Sequence, residues 1–173
     1  MGQKEGYLVL GTAGNKATLA GMTALIDYWG NPKNKLKDEK LLVAGFWTMK
    51  YLKVTPVENI VILGEIPDAK LDDLLSTVKA LVCYQKFGSG ALTKIREILL
   101  AGVPVLANSH AARSYHEYNG AGVVEFVNLK DLDKAAAMIE TIGNPGAPGG
   151  NKPFEPTQSI SNQELLNKID QIS

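Results

Sequence analysis

Apolar residues along this chain fall into short continuous runs, separated by stripes that repeat every three to four residues. The runs are Tyr7–Leu10, Leu41–Ala44, Ile60–Leu63, Ala80–Tyr84, Pro104–Ala107 and Val123–Val127. Most are continuous rather than alternating, so they predict strands buried on both faces. Leu19, Met22, Ile26 and Trp29 trace one helical face. Leu71, Leu74, Leu75 and Val78 trace a second, and Ile95, Ile98 and Leu99 a third. Asn15 stands where an N-cap is wanted, and Pro67-Asp68 opens the second helix. Gly102 suits a left-handed C-terminal cap, and Pro104 stops the third helix. Ser109 predicts the cap of a helix reaching about Tyr118, and Asp131 to Ile142 reads as the next. The segment from Phe46 to Glu58 fits no single period. Trp47 and Tyr51 there suit either the core or the border of a pocket.

Strands that alternate with helices and are buried on both faces imply an α/β fold. The expectation is a doubly wound, Rossmann-like parallel sheet of about six strands over residues 1–142. Gly143 to Pro156 is rich in Pro and Gly and reads as a linker. Ser161 and Glu164 have capping-box spacing, and Leu165, Ile169 and Ile172 give a closing helix one apolar edge. Residues 143–173 are thus expected to be linker and closing helix.

Composition narrows the function. The 173 residues carry 18 Lys plus Arg and 18 Asp plus Glu, so overall charge supports neither a nucleic-acid footprint nor a polybasic membrane patch. The single cysteine, Cys83, sits in an apolar run and has no intramolecular disulfide partner. The two histidines, His110 and His116, lack the company of a metal site. No stretch is long enough to span a bilayer and no signal peptide opens the chain, so a cytoplasmic location is expected.

Ligands of such sheets bind at the carboxyl ends of the strands, near a switch in strand order. Two glycine loops stand at such ends: Gly11-Thr-Ala-Gly14-Asn15-Lys16 and Gly88-Ser89-Gly90. The second feeds a helix whose free N–H groups suit an anion, usually a phosphate. A tight turn in an α/β domain accounts for the same glycines. The first loop is neither a P-loop nor a dinucleotide fingerprint. Lys16 and Lys94 suit a phosphate and equally suit solvent, and Ser89 suits a phosphate or a plain turn. Arg113 and Glu117 have the spacing of a helix-surface pair, and no nucleophile signature accompanies the histidines. Asp72-Asp73 reads as a solvated helix face.

Gly88-Ser89-Gly90, Lys94, Glu97, Ala101-Gly102 and Pro104-Val105 together resemble the donor-site signature of GT-B glycosyltransferases, and most of all the retaining family 4. That family has a glycine loop, a helix ending in Glu-Ala-x-x-x-Gly-x-Pro-Val, and a second Glu eight positions upstream. Glu97 matches the helix glutamate, but Ser89 occupies the upstream position, so the pair is broken. The loop is closer to members with Gly-Ser-Gly-Thr and a preceding Lys. The likeness runs from about Tyr7 to Ile142, with only the central stretch specific. It implies a nucleoside-diphosphate sugar as donor and hexosyl transfer to an acceptor hydroxyl, with retention. It implies catalytic roles for Lys16 and Lys94. It implies donor contacts from Gly14, Asn15, Gly88, Ser89, Gly90, Ala91, Leu92, Thr93 and Glu97, the last accepting from ribose hydroxyls. No metal or other cofactor is implied. The implied partner is an N-terminal acceptor domain, without which the chain turns over little. Any membrane association would come through that domain. A non-catalytic nucleotide-sugar-binding module fits the broken glutamate pair, and a flavodoxin-like interaction domain fits the strand pattern alone.

Overall fold

The computed structural model describes residues 4–53 and 57–142. The linker and closing helix expected over 143–173 lie outside the described residues. Six strands form one sheet: β1 (Tyr7–Leu10), β2 (Leu41–Ala44), β3 (Ile60–Gly64), β4 (Ala80–Cys83), β5 (Val105–Asn108) and β6 (Val123–Phe126). Their spatial order is β3-β2-β1-β4-β5-β6, and every pair is parallel. The chain winds outward from β1 to β3, crosses back to β4, and winds outward again. The switch in direction therefore falls between β1 and β4.

Among the described residues, the helices α1 (Lys16–Trp29), α2 (Thr48–Tyr51), α3 (Asp68–Thr77) and α4 (Thr93–Leu100) connect strands, and α5 (Leu132–Ile142) follows β6. Alternation along each strand sends side chains to opposite faces and makes two cores. Tyr7, Val9, Leu41, Val43, Val82 and Leu106 meet α1 and α5 on one face. Leu8, Leu81, Cys83, Val105 and Ala107 meet α3 and α4 on the other. This is the doubly wound parallel sheet the apolar runs predict. Trp29 anchors the first core: its ring lies 5.6 Å from that of Tyr7, and its Nε1 donates to the Glu39 carbonyl at 2.9 Å.

The α4 terminus forms as its residues dictate. Gly102 takes φ 76°, its N–H reaches Leu99 O at 3.0 Å, and Val103 N–H reaches Ile98 O at 3.1 Å. That pair of bonds is a Schellman cap, which needs a residue content with positive φ.

One expectation changes, and one open segment takes a definite form. No α-helix runs from Ser109 to Tyr118; turns lead instead to a single 3-10 turn, His116–Tyr118. Ser109 N–H is taken by Phe126 O across the sheet edge, and Tyr115, Tyr118 and Asn119 bond three residues back. The chain must return to β6 through Gly120 and Gly122, both with positive φ, so an α-helix has no length in which to propagate. Arg113 and Glu117 consequently share no helix face. The segment after β2 resolves into one helical turn, α2, behind Trp47, which holds φ 63°. Phe46, Trp47, Met49 and Tyr51 are exposed rather than core.

Candidate functional site

The loops after β1 and β4 meet over the switch point. Asn15 caps α1, its Oδ1 accepting from Ala17 N at 3.0 Å and Thr18 N at 3.1 Å. That cap satisfies the N–H groups of Ala17 and Thr18 and leaves the Lys16 side chain exposed in the first turn. Gly14 lies under the Trp47 ring: a Cβ there would sit 2.5 Å from Trp47 Cε3, so any larger residue would have to push the ring aside. Ala13 N bonds Phe46 O at 2.9 Å and Gly11 N bonds Ala44 O at 3.1 Å, tying this loop to the one after β2.

The second loop closes on the first from the β4 side. A Cβ on Gly88, which has φ 119°, would lie 3.3 Å from the Ala17 Cβ. Lys94, in the first turn of α4, does not extend into solvent. Its Nζ donates to the carbonyl of Leu10, the last residue of β1, at 2.6 Å. Lys94 is half-buried and, with Leu10, Thr18, Tyr84, Gln85 and Leu92, lines the cleft between the two loops; Lys16 is exposed at the start of α1, outside that lining. Helix α1 can lie this close because Gly21 packs on the backbone of Tyr84; a Cβ at Gly21 would fall 1.9 Å from Tyr84 O.

Ser89, Gly90, Ala91 and Thr93 are exposed along the rim and Leu92 is half-buried. No side chain caps α4, which begins after Leu92. Glu97 is exposed, three residues beyond Lys94 on the same helix. Asn15 is occupied as a cap, so its side chain holds the loop in shape rather than standing free for a ligand. Cys83 lies fully buried beneath the crevice; burial pushes its thiol pKa up, against the opposing pull of Lys94.

Four polar residues that motif reading leaves aside complete the β4–β5 wall. Asn108 and Gln85 exchange two hydrogen bonds, Gln85 N to Asn108 Oδ1 at 2.8 Å and Asn108 Nδ2 to Gln85 O at 2.7 Å. His110 Nε2 contacts Gly88 O at 3.2 Å. Arg113 Nη1 donates to Gln85 Oε1 at 3.1 Å and to His110 O at 2.6 Å. Arg113 therefore points back under the glycine loop and not toward Glu117. The signal was a polar residue directly after each of two apolar runs, Gln85 after β4 and Asn108 closing β5. His116 pairs instead with Glu125 at 2.7 Å, away from this wall.

A wider hollow lined by Tyr7, Lys79, Pro104, Ala136 and Ile139 opens at the amino ends of the strands. Neither glycine loop touches it, and the crevice outside the carboxyl ends is the one parallel sheets use. Among the described residues no three His, Cys, Asp or Glu side chains stand close enough to hold a metal. Nor is any helix there long and apolar enough to cross a membrane.

No protein-family model matches the chain, and no curated protein does. Solved structures do. AviGT4, a glycosyltransferase involved in avilamycin A biosynthesis, superposes with a TM-score of 0.52 at 17% identity, covering 84% of this chain and 42% of its own. TarM superposes with a TM-score of 0.54 at 17% identity, covering 82% of this chain and 29% of its own. The chain thus spans less than half the length of either. At that identity the likeness is one of fold, consistent with the C-terminal half of a GT-B architecture. The GT-B resemblance read from the glycine loop and its helix has its counterpart in three dimensions.

Proposed function

We propose that this chain is the donor-binding domain of a glycosyltransferase, holding a nucleoside-diphosphate sugar in the crevice between β1 and β4. One observation carries the reading. Two glycine loops far apart in sequence meet at the topological switch point, with Lys94 in the cleft between them and Lys16 exposed at the start of α1. A diphosphate needs such an arrangement: backbone N–H groups at helix starts and cations close by.

The transfer moves a sugar from the diphosphate to an acceptor hydroxyl, and its demanding part is departure of the diphosphate. Lys94 stands ready to exchange the neutral Leu10 carbonyl for a phosphate oxygen, a stronger acceptor. Lys16 adds charge from the α1 terminus. The N–H groups of Thr93 and Lys94, with Gly88, Ser89, Gly90, Ala91 and Leu92 shaping the loop, meet the phosphates. Glu97, exposed on α4, offers two acceptor oxygens to a ribose diol. The acceptor comes from a second domain, in the same polypeptide or another, and the product belongs to polysaccharide or glycoconjugate synthesis in the cytoplasm. Hexosyl transfer with retention follows the family 4 likeness. Ser89 at the position of the family's upstream glutamate favours one second reading, in which the domain binds nucleotide-sugar without transferring it.

The test is a titration of the full chain with UDP, GDP, ADP and their sugar conjugates, followed by calorimetry and NMR. Saturable binding of one nucleotide series, with shifted amides at 11–16 and 88–94, is expected. No binding at millimolar concentration sinks the reading. Transfer by the chain joined to an acceptor domain separates catalysis from binding alone.

A further inference from the structure

Arg113 is an anomaly on the β4–β5 wall. Its Nη1 has two acceptors, Gln85 Oε1 and His110 O. Its Nε and Nη2 are shielded from solvent and have no acceptor. Among the described residues no carboxylate pairs with it. A guanidinium is always charged and carries five N–H donors in a fixed fork. Shielding two of those donors without a partner is unfavourable, since each loses its water and gains nothing. The neighbours make the omission specific. Gln85 is buried and locked to Asn108, so its Oε1 holds one arm of the fork in place. His110 ties the adjacent backbone to Gly88 O. The fork is thus oriented by residues at the carboxyl ends of β4 and β5, directly beneath the Gly88–Gly90 loop.

We infer that Arg113 receives an oxyanion of the bound ligand through Nε and Nη2, as a third cation beside the Gly88–Gly90 loop. Those two N–H groups are the parallel pair that engages a carboxylate or phosphate in two bonds. The inference rests on the donor-binding reading and specifies it: the ligand carries an oxyanion on the β4–β5 side. That oxyanion belongs either to the diphosphate or to an acidic sugar attached to it.

Calorimetric titrations of wild type, Arg113→Gln and Arg113→Lys against inorganic pyrophosphate, the nucleosides, UDP, GDP, ADP, and their neutral-hexose and uronic-acid conjugates test this. Arg113→Lys keeps a cation that can reach His110 O while losing the fork, and it serves where Arg113→Gln fails to fold. Thermal melts and amide spectra check each variant. The expected result is a loss of tenfold or more for oxyanion-bearing ligands, with nucleoside affinity unchanged. A loss across pyrophosphate and every diphosphate assigns Arg113 to the diphosphate, and a loss confined to the uronic-acid conjugates assigns it to the sugar. Equal affinity of variants and wild type for every ligand overturns the inference. So does a loss that is as large for the nucleosides, which marks Arg113 as a strut of the wall. A wild type that binds nothing overturns the donor-binding reading itself, and the inference with it.

Discussion

Single residues in this crevice separate into those that hold its shape and those left over for a ligand. Lys94 does both, since one bond of 2.6 Å to Leu10 O joins α4 to β1. Lys94→Met preserves the aliphatic stem and removes the charge. It is expected to weaken nucleoside-diphosphate binding at least tenfold while leaving the fold, as read by melting and amide spectra; unchanged affinity would make Lys94 a structural tie alone. Glu97 is the contrasting case, exposed and remote from either core. Bonds to a charged acceptor are worth roughly 1.5–3 kcal/mol, so Glu97→Gln is expected to lower nucleotide affinity by about one to two orders of magnitude. A 2′,3′-dideoxy nucleotide should lose affinity for wild type and little more for the variant. Cys83 reports on burial. With its thiol shielded and its pKa raised, it should resist a disulfide reagent at pH 8 in the native chain and react at once in denaturant. Fast native reaction would mean that the crevice floor opens.

At the scale of elements, the crevice exists because α1 lies unusually close to β4. Gly21 is the contact, and the obstacle to any larger residue is the Tyr84 carbonyl, backbone that cannot rotate away. Gly21→Ala gains helix propensity and would stabilise an exposed helix. Here the added methyl must displace α1, and overpacking of this kind costs about 1–3 kcal/mol. A lower midpoint in urea is expected, together with shifted amides in both glycine loops. A midpoint equal to or above that of wild type would contradict the packing. The end of α4 and the start of α1 were legible from Gly102 and Asn15 because capping is local: each residue satisfies backbone groups within one turn of itself. The region after Ser109 was not. Its helical reading rested on Ser109 as a cap, whereas the Ser109 N–H is taken by Phe126 O across the sheet.

For the whole molecule, balanced charge leaves pH sensitivity to particular sites. Tyr7 is buried in the first core, and burial, then Glu39 and Glu140, raise its pKa from 10.0 to about 12. The folded state therefore holds the phenolic proton after the unfolded chain has lost it. The stability this contributes is intact below pH 10, declines as pH rises beyond that, and is gone past about 12. Tyr7→Phe should flatten the alkaline fall in the urea midpoint between these values while keeping the ring contact with Trp29; an unchanged slope would show that other groups govern it.

The sequence by itself determined the six strands, the parallel sheet and the position of both glycine loops at carboxyl ends. Those follow from local facts: short continuous apolar runs alternating with helical stripes read as strands covered on both faces, and Gly11, Gly45 and Gly64 end the first three where the chain must turn. It also set Gly88-Ser89-Gly90, Lys94 and Glu97 in a pattern that resembles a donor site. Only the tertiary structure decided what the loops do to one another. Strand order put β4 beside β1, 70 residues further along the chain (residue 80 against residue 10). That adjacency brought Gly88 against Ala17 and Lys94 against Leu10. The pairing of β5 with β4 turned Arg113, which reads in sequence as a surface residue, under the glycine loop beside Gln85. No periodicity encodes such contacts. They arise when a sheet closes distances that the chain spans only through three crossovers.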